Sequence, residues 1–88
     1  MQALTEKQAA KIADNKRAFD HNFPGYVVLT SKVYKGPRWF YVVPEDKADD
    51  PGNDDIIYYT DSIDNMNGWL YGAVQAACKR VIYNPASY

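Results

Sequence analysis

The chain of 88 residues contains one cysteine, one histidine and no long apolar run. Because Cys78 has no partner within the chain, an internal disulfide is excluded, as is usual for proteins of reducing compartments. We expect Cys78 to be a small buried apolar residue rather than a reactive thiol. The N-terminal residues lack the apolar segment of a signal peptide, and the longest uncharged run, residues 65–78, is too short to span a bilayer. The sequence therefore predicts a soluble cytoplasmic protein with no membrane partner.

Groups that carry catalysis are also scarce. The sequence has no phosphate-binding loop, no dinucleotide-binding fingerprint and no set of zinc ligands. His21 follows Asp20 near the end of a predicted helix. At that position a favourable interaction of a cationic imidazole with the negative end of the helix dipole is a more common role than general-base catalysis. A dyad of Cys78 and His21 is conceivable, but nothing in the sequence marks the thiol as activated. We therefore predict a protein that is not an enzyme and that holds no cofactor and no metal.

What the sequence has is an uneven distribution of charge. The formal net charge is −1, but residues 45–64 carry eight carboxylates and one lysine, a local charge of −7. Residues 1–44 carry +4 and residues 65–88 carry +2. A local field of this kind steers partners more than the net charge does, so one acidic face and one modestly basic face are predicted.

Two helices are predicted, one at each end of the chain. Thr5 and Gln8 form the pattern of a capping box before a helix over residues 6–21, which Pro24 and Gly25 end. A second helix begins after Asp61 or Ser62. Its apolar stripe consists of Ile63, Met66, Leu70, Ala73, Val74, Ala77 and Val81. Gly68 and Gly72 lie on one side of this helix and predict the close approach of a neighbouring backbone or side chain.

Between the helices, three β-rich segments predict an antiparallel meander. They cover residues 26–34, 38–43 and 55–60 and are separated by turn-forming residues. In the first segment Val27 and Leu29 alternate with Tyr26 and Thr30. We predict one α+β domain over residues 1–88, in the order helix, three strands, helix (αβββα), with both helices packed on one sheet face.

The acidic residues concentrate in the predicted loop 45–54 between the second and third strands. Asp, Pro, Gly and Asn are turn-forming residues, so a solvated loop explains its polar composition but does not require so many carboxylates. Their spacing does not fit a calcium-binding EF-hand loop. The preferred hypothesis is a docking surface for a protein with basic groups. Its candidate partner-binding residues are Glu45, Asp46, Asp49, Asp50, Asp54, Asp55, Tyr58 and Tyr59.

Nucleic-acid binding is the alternative hypothesis. The order helix, three strands, helix is shared with double-stranded-RNA-binding domains, but those place basic residues where this chain has Asp61 and Asp64. A basic and aromatic hairpin is the remaining candidate for single strands or DNA grooves. Its residues are Lys32, Tyr34, Lys35, Arg38, Trp39 and Tyr41. Cross-strand packing explains the same aromatic residues without any ligand.

In size, acidic loop, helix–sheet–helix plan and lack of catalytic groups, the chain resembles the small phage-encoded inhibitors of the anti-CRISPR type, some of which mimic DNA. The resemblance covers the whole chain and implies that the acidic edge blocks the nucleic-acid-binding surface of a host defence nuclease. The other explanation is a structural domain with a solvated acidic loop, since a fold does not imply a function.

Overall fold

A computed structural model describes residues 2–31 and 38–83 of the chain. The elements are β1 (Gln2–Ala3), α1 (Glu6–Asn22), β2 (Tyr26–Thr30), β3 (Phe40–Pro44), β4 (Tyr58–Thr60) and α2 (Ile63–Tyr83). Within these ranges the strands form one antiparallel sheet in the order β1-β2-β3-β4. The predicted α+β class is confirmed, but the predicted number of three strands is wrong.

The additional strand is β1, at the edge of the sheet. Gln2 pairs with Thr30 and Ala3 pairs with Leu29. Two residues are too few to show the alternation that identifies a strand in a sequence. The later strands are also displaced from the predicted segments, because β3 begins at Phe40 and β4 begins only at Tyr58. The predicted strand residues 32–34 lie outside the described part of the chain.

The predicted start and end of α1 are confirmed to within one residue. Thr5 Oγ1 accepts a hydrogen bond from Gln8 N at 3.2 Å, and Gln8 Oε1 accepts one from Thr5 N at 2.9 Å. These two bonds satisfy amides that the first helical turn leaves without partners. After the helix, Gly25 adopts a positive φ of 96°, which glycine reaches without the steric cost of a side chain. The chain can therefore turn directly into β2.

The core lies between the two helices and one face of the sheet. Its buried members are Ile12 and Phe19 from α1, Val28, Phe40 and Val42 from the strands, and Met66 and Leu70 from α2. Val28 pairs with Val42 across β2 and β3, so these two side chains point to the same face. Val27 and Leu29 point to the opposite face and are only half-buried. Both helices thus cover one sheet face, as predicted.

A polar contact joins the two helices beside this core. Asn15 Nδ2 donates hydrogen bonds to Asn67 Oδ1 at 2.9 Å and to Asn67 O at 3.3 Å. Asn15 faces α2, whereas Ala9 and Ala13 of α1 are exposed. The bonds satisfy polar groups that are partly removed from water at the interhelical surface.

The N-terminus and inner face of α2 agree with the prediction. Ser62 Oγ accepts a hydrogen bond from Asn65 N at 3.2 Å and is the cap, while Met66 and Leu70 are 0 % exposed. Trp69, which the predicted stripe omits, also packs against the core. The side chain of Val81 lies outside the described part.

Two predictions for α2 are wrong. A Cβ atom added at Gly68 or Gly72 meets nothing within 4 Å, so no neighbouring group makes a close approach to either glycine. Cys78 is exposed rather than buried. No helix in residues 2–31 and 38–83 has the length and apolar character needed to cross a membrane.

Candidate functional site

The acidic connection, residues 45–57, joins β3 to β4. It is longer than the predicted loop 45–54, and it contains two short 3₁₀ turns, Glu45–Lys47 and Asn53–Asp55. Its first amide, Glu45 N, donates to Gly25 O at 2.8 Å, and Ile57 N donates to Val42 O at 2.9 Å. Both ends are thereby fixed to the sheet. Five of its carboxylate residues are exposed: Glu45, Asp46, Asp49, Asp50 and Asp54.

Asp55 differs from the other acids of the connection because its side chain bonds the backbone. Asp55 Oδ2 accepts a hydrogen bond from Gly52 N at 2.8 Å, and Gly52 O accepts one from Asp55 N at 3.0 Å. This reciprocal pair closes the second 3₁₀ turn. It also explains why the strand predicted from residue 55 begins three residues later, since Asp55 is held in a turn.

Replacing Asp55 with Ala should therefore lower the free energy of unfolding by about 0.5–1.5 kcal/mol, the net value of a typical hydrogen bond. Asp54→Ala is the matched control, because Asp54 is the exposed neighbour and accepts no hydrogen bond from a described group. Urea denaturation of the two variants measures the difference. Equal midpoints for Asp54→Ala and Asp55→Ala would contradict the structural role given to Asp55.

The acids of the acidic connection form no ion pair with a described residue. The ion pairs within residues 2–31 and 38–78 join Lys16 to Asp20 at 2.5 Å and Arg17 to Asp14 at 3.9 Å, and both lie on α1. None involves an acid of residues 45–64. Because these carboxylates are exposed, they present a negative field to solvent and to approaching partners.

Tyr58 and Tyr59, which the sequence placed together in the candidate docking set, point to opposite faces of the sheet. The Tyr58 ring stacks on the Trp69 ring with centroids 4.8 Å apart and an interplanar angle of 8°, so it belongs to the core face. Tyr59 is 59 % exposed on the face away from the helices. Of these two tyrosines, Tyr59 is therefore the one that a partner can reach from the face away from the helices.

Part of the candidate nucleic-acid-binding set lies outside the residues that the structure describes. Lys32, Tyr34 and Lys35 lie outside the described residues, and Arg38 is half-buried. Trp39 and Tyr41 lie on the face away from the helices, since they alternate with the buried Phe40. The Tyr59 ring centroid lies 5.6 Å from that of Trp39 and 6.4 Å from that of Tyr41. We call Trp39, Tyr41 and Tyr59 the aromatic ridge.

A cleft of about 520 Å³ lies over the aromatic ridge. The ridge forms one wall, and the acidic connection folds back over the sheet to supply the other through Pro51, Asn53 and Ile56. Val43 lies on this same face and is 0 % exposed, which shows that the face is partly covered. The structure thus brings together aromatic residues from the two candidate sets and places the acidic connection beside them.

Sequence reasoning missed Pro51, Asn53 and Ile56 as members of this site. The apolar pair Ile56 and Ile57 was the available signal. Apolar residues at the end of an acidic loop indicate that this part of the loop packs against the protein, but both residues were assigned to a strand from the sequence. Ile57 is 51 % exposed, but it lies beside Trp69 and Ala73 on the helix side of the sheet and does not line the cleft.

The potential metal-ligating groups of the described residues are dispersed rather than clustered. Within residues 2–31 and 38–78, no three His, Cys, Asp or Glu side chains stand close enough to hold a metal ion. His21 and Cys78 are both exposed. The cleft itself is lined by aromatic, amide and apolar groups, which suit binding more than proton transfer.

Comparison of the chain with protein-family models, with curated proteins and with solved structures gives no significant match.

Proposed function

We propose that the chain is a non-enzymatic protein-interaction module whose acidic connection docks on a basic surface of a partner protein. The observation that carries the proposal is that one segment, the acidic connection, both bears the exposed carboxylates and lines the aromatic cleft. Neither feature alone distinguishes a docking site from an ordinary solvated loop. Together they offer charge for orientation and aromatic area for contact, which are the two components of a protein interface.

The proposed docking surface has two parts with different roles, the exposed carboxylates and the aromatic area. Exposed carboxylates attract Lys and Arg over a distance of about 10 Å at 0.1 M salt and raise the rate of encounter. Tyr59 is 59 % exposed, so it supplies apolar area that loses water on contact. The acids thus speed the approach of the partner and orient it, while the aromatic groups slow its dissociation.

The basic surface that the proposal requires is one that ordinarily binds nucleic acid. Such surfaces carry clustered Lys and Arg to neutralise phosphates. With the resemblance to small phage-encoded inhibitors, this makes a host defence nuclease in the host-cell cytoplasm the candidate partner. The inhibitor would act by occupying the nucleic-acid channel with its own carboxylates.

Direct nucleic-acid binding is the second candidate, and the aromatic ridge is the observation that favours it. Stacking of bases on Trp and Tyr is common in proteins that bind single strands. The carboxylates beside the cleft oppose it, because phosphates would have to approach a surface with no described cation among residues 48–64. The two candidates predict opposite responses to neutralisation of the acids.

The test is affinity purification from a lysate of the host, with three forms of the chain as bait. The quadruple variant replaces Asp46, Asp49, Asp50 and Asp54 with Asn and retains the structural Asp55. The helix variant, Glu6→Gln with Asp14→Asn, neutralises exposed acids elsewhere on the surface.

We expect the wild type and the helix variant to enrich a basic nucleic-acid-binding protein and the quadruple variant to lose it. Absence of such a protein from the wild-type sample would contradict the docking proposal. Stronger capture of nucleic acid by the quadruple variant, surviving about 0.3 M salt, would favour the second candidate instead.

A further inference from the structure

The aromatic ridge has a geometry that selects among basic partners. The Trp39 and Tyr59 rings make an angle of 49° at a centroid distance of 5.6 Å, and Tyr41 and Tyr59 make an angle of 27° at 6.4 Å. Both distances are typical of aromatic rings that pack against each other, an arrangement that leaves no room for a further group between two rings. A ligand must therefore lie against their outer faces, in the cleft, rather than inside a closed cage.

We propose that this cleft binds the guanidinium group of an arginine side chain of the partner protein. The inference rests on the proposed docking function and names the side chain that the partner inserts. A planar guanidinium stacks on an aromatic face and is weakly hydrated, whereas the compact lysine ammonium is strongly hydrated and loses more on contact.

The acidic connection places two exposed aspartates next in sequence to residues that line the cleft. Asp50 directly precedes Pro51 and Asp54 directly follows Asn53, and both Pro51 and Asn53 line the cleft. Adjacent Cα atoms are about 3.8 Å apart, so the backbone of both acids lies next to the lining of the cleft, within reach of a ligand in it. A guanidinium presents its five N–H donors in the plane of the group, which allows it to stack on a ring and to donate to a carboxylate at once.

The same arrangement disfavours the other occupants of an aromatic cleft. A nucleic-acid base would stack equally well, but its phosphates would meet Asp50 and Asp54. An uncharged apolar segment would gain nothing from the local charge of −7 over residues 45–64. Charge complementarity together with the flat aromatic surface selects arginine.

The probes are two short peptides of Gly and Ser that carry spaced arginines or, at the same positions, lysines. Binding is followed by the fluorescence of Trp39 in a Trp69→Phe background, because Trp69 lies in the core and would mask the signal from the cleft. Circular dichroism checks that this background folds as the wild type does. A single-stranded oligonucleotide is the third probe.

We expect saturable binding of the arginine peptide at low salt, about three- to fivefold tighter than the lysine peptide of equal charge. Tyr59→Ala should reduce the affinity for the arginine peptide to that for the lysine peptide, and Tyr59→Phe should retain the preference. Tyr71→Ala is the matched control, since Tyr71 is 55 % exposed, close to the 59 % of Tyr59, but lies on α2. It should change neither affinity.

Three results would overturn the inference. Equal affinity for the arginine and lysine peptides would overturn the arginine site. If the double variant Asp50→Asn with Asp54→Asn then bound both peptides more weakly, the acidic docking proposal would stand without that site. No saturable binding of the arginine peptide would also overturn the inference, and the affinity purification would then decide the docking proposal separately. Tighter binding of the oligonucleotide than of the arginine peptide would replace both proposals with nucleic-acid binding.

Discussion

Leu70→Asp should abolish the native fold. Leu70 is 0 % exposed and lies in the core between α1, α2 and the sheet. An aspartate there would remove buried apolar area and place a carboxylate where no cation is available to it, at a cost of more than about 4 kcal/mol. Proteins have stabilities of roughly 5–15 kcal/mol and small domains lie near the lower end, so most or all of the stability would be lost. Far-ultraviolet circular dichroism should show the loss of helix.

The neighbouring residue provides the control for this prediction. Tyr71 is 55 % exposed on the outer side of α2, so Tyr71→Asp should leave the spectrum unchanged and alter the unfolding free energy by less than about 1 kcal/mol. Leu70→Ala should fall between the two and cost about 2–5 kcal/mol in chemical denaturation. A folded Leu70→Asp variant with a wild-type midpoint would show that α2 does not supply the core.

The quadruple variant should bind its partner far more slowly while remaining folded. Replacement of four exposed aspartates by asparagine changes the local charge of residues 45–64 from −7 to −3. Because charged interfaces raise association rates by 10- to 1000-fold, we expect the association rate to fall about tenfold or more at low salt. The difference should shrink as salt rises, since exposed charges are then screened.

Stability separates this expectation from a purely structural role of the connection. The four residues are exposed, and relief of their mutual repulsion offsets the loss of any weak local contact, so the unfolding free energy should stay within about 1 kcal/mol of the wild type. If the connection were only a structural turn, the denaturation midpoint would fall and the association rate would not. Chemical denaturation and stopped-flow association on the same preparation measure both quantities.

The sequence predicted the helices well because their signals are local. Thr5 and Gln8 are three residues apart and bond each other directly, and the pattern of Met66 and Leu70 repeats over several turns. Local signals of this kind depend little on the rest of the fold. Gly25 at φ 96° is a further example, since the turn after α1 is encoded where it occurs.

The sheet was harder to predict because both of its faces carry apolar side chains. In β2, Val27 and Leu29 alternate with Val28 and Thr30, and the more apolar pair proved to face away from the helices. Thr30 is 1 % exposed in the core, where its hydroxyl donates to Trp39 O at 3.0 Å. Which side chains of β2 face the core depends on the pairing register of the sheet and on where the helices pack. Neither is a local property of the sequence.

The composition of the site could be predicted only in part for the same reason. The exposed acids follow from sequence, because turn residues between strands lie in solvent. The separation of Tyr58 from Tyr59 follows from alternation along a strand and could have been predicted. The contact of Trp39 and Tyr41 with Tyr59 depends on the β3–β4 register, in which Tyr41 pairs with Tyr59 across residues distant in sequence. That pairing had no signature in the chain itself.

The central claim is that the position of the acids, and not the net charge, directs docking. The most direct test compares two variants that each remove two negative charges. The rim variant carries Asp50→Asn with Asp54→Asn beside the cleft, and the helix variant carries Glu6→Gln with Asp14→Asn on α1. Their association rates with the purified partner are measured at low salt by stopped flow. We predict a several-fold slower rate for the rim variant and a wild-type rate for the helix variant, whereas equal rates for the two variants would contradict the claim.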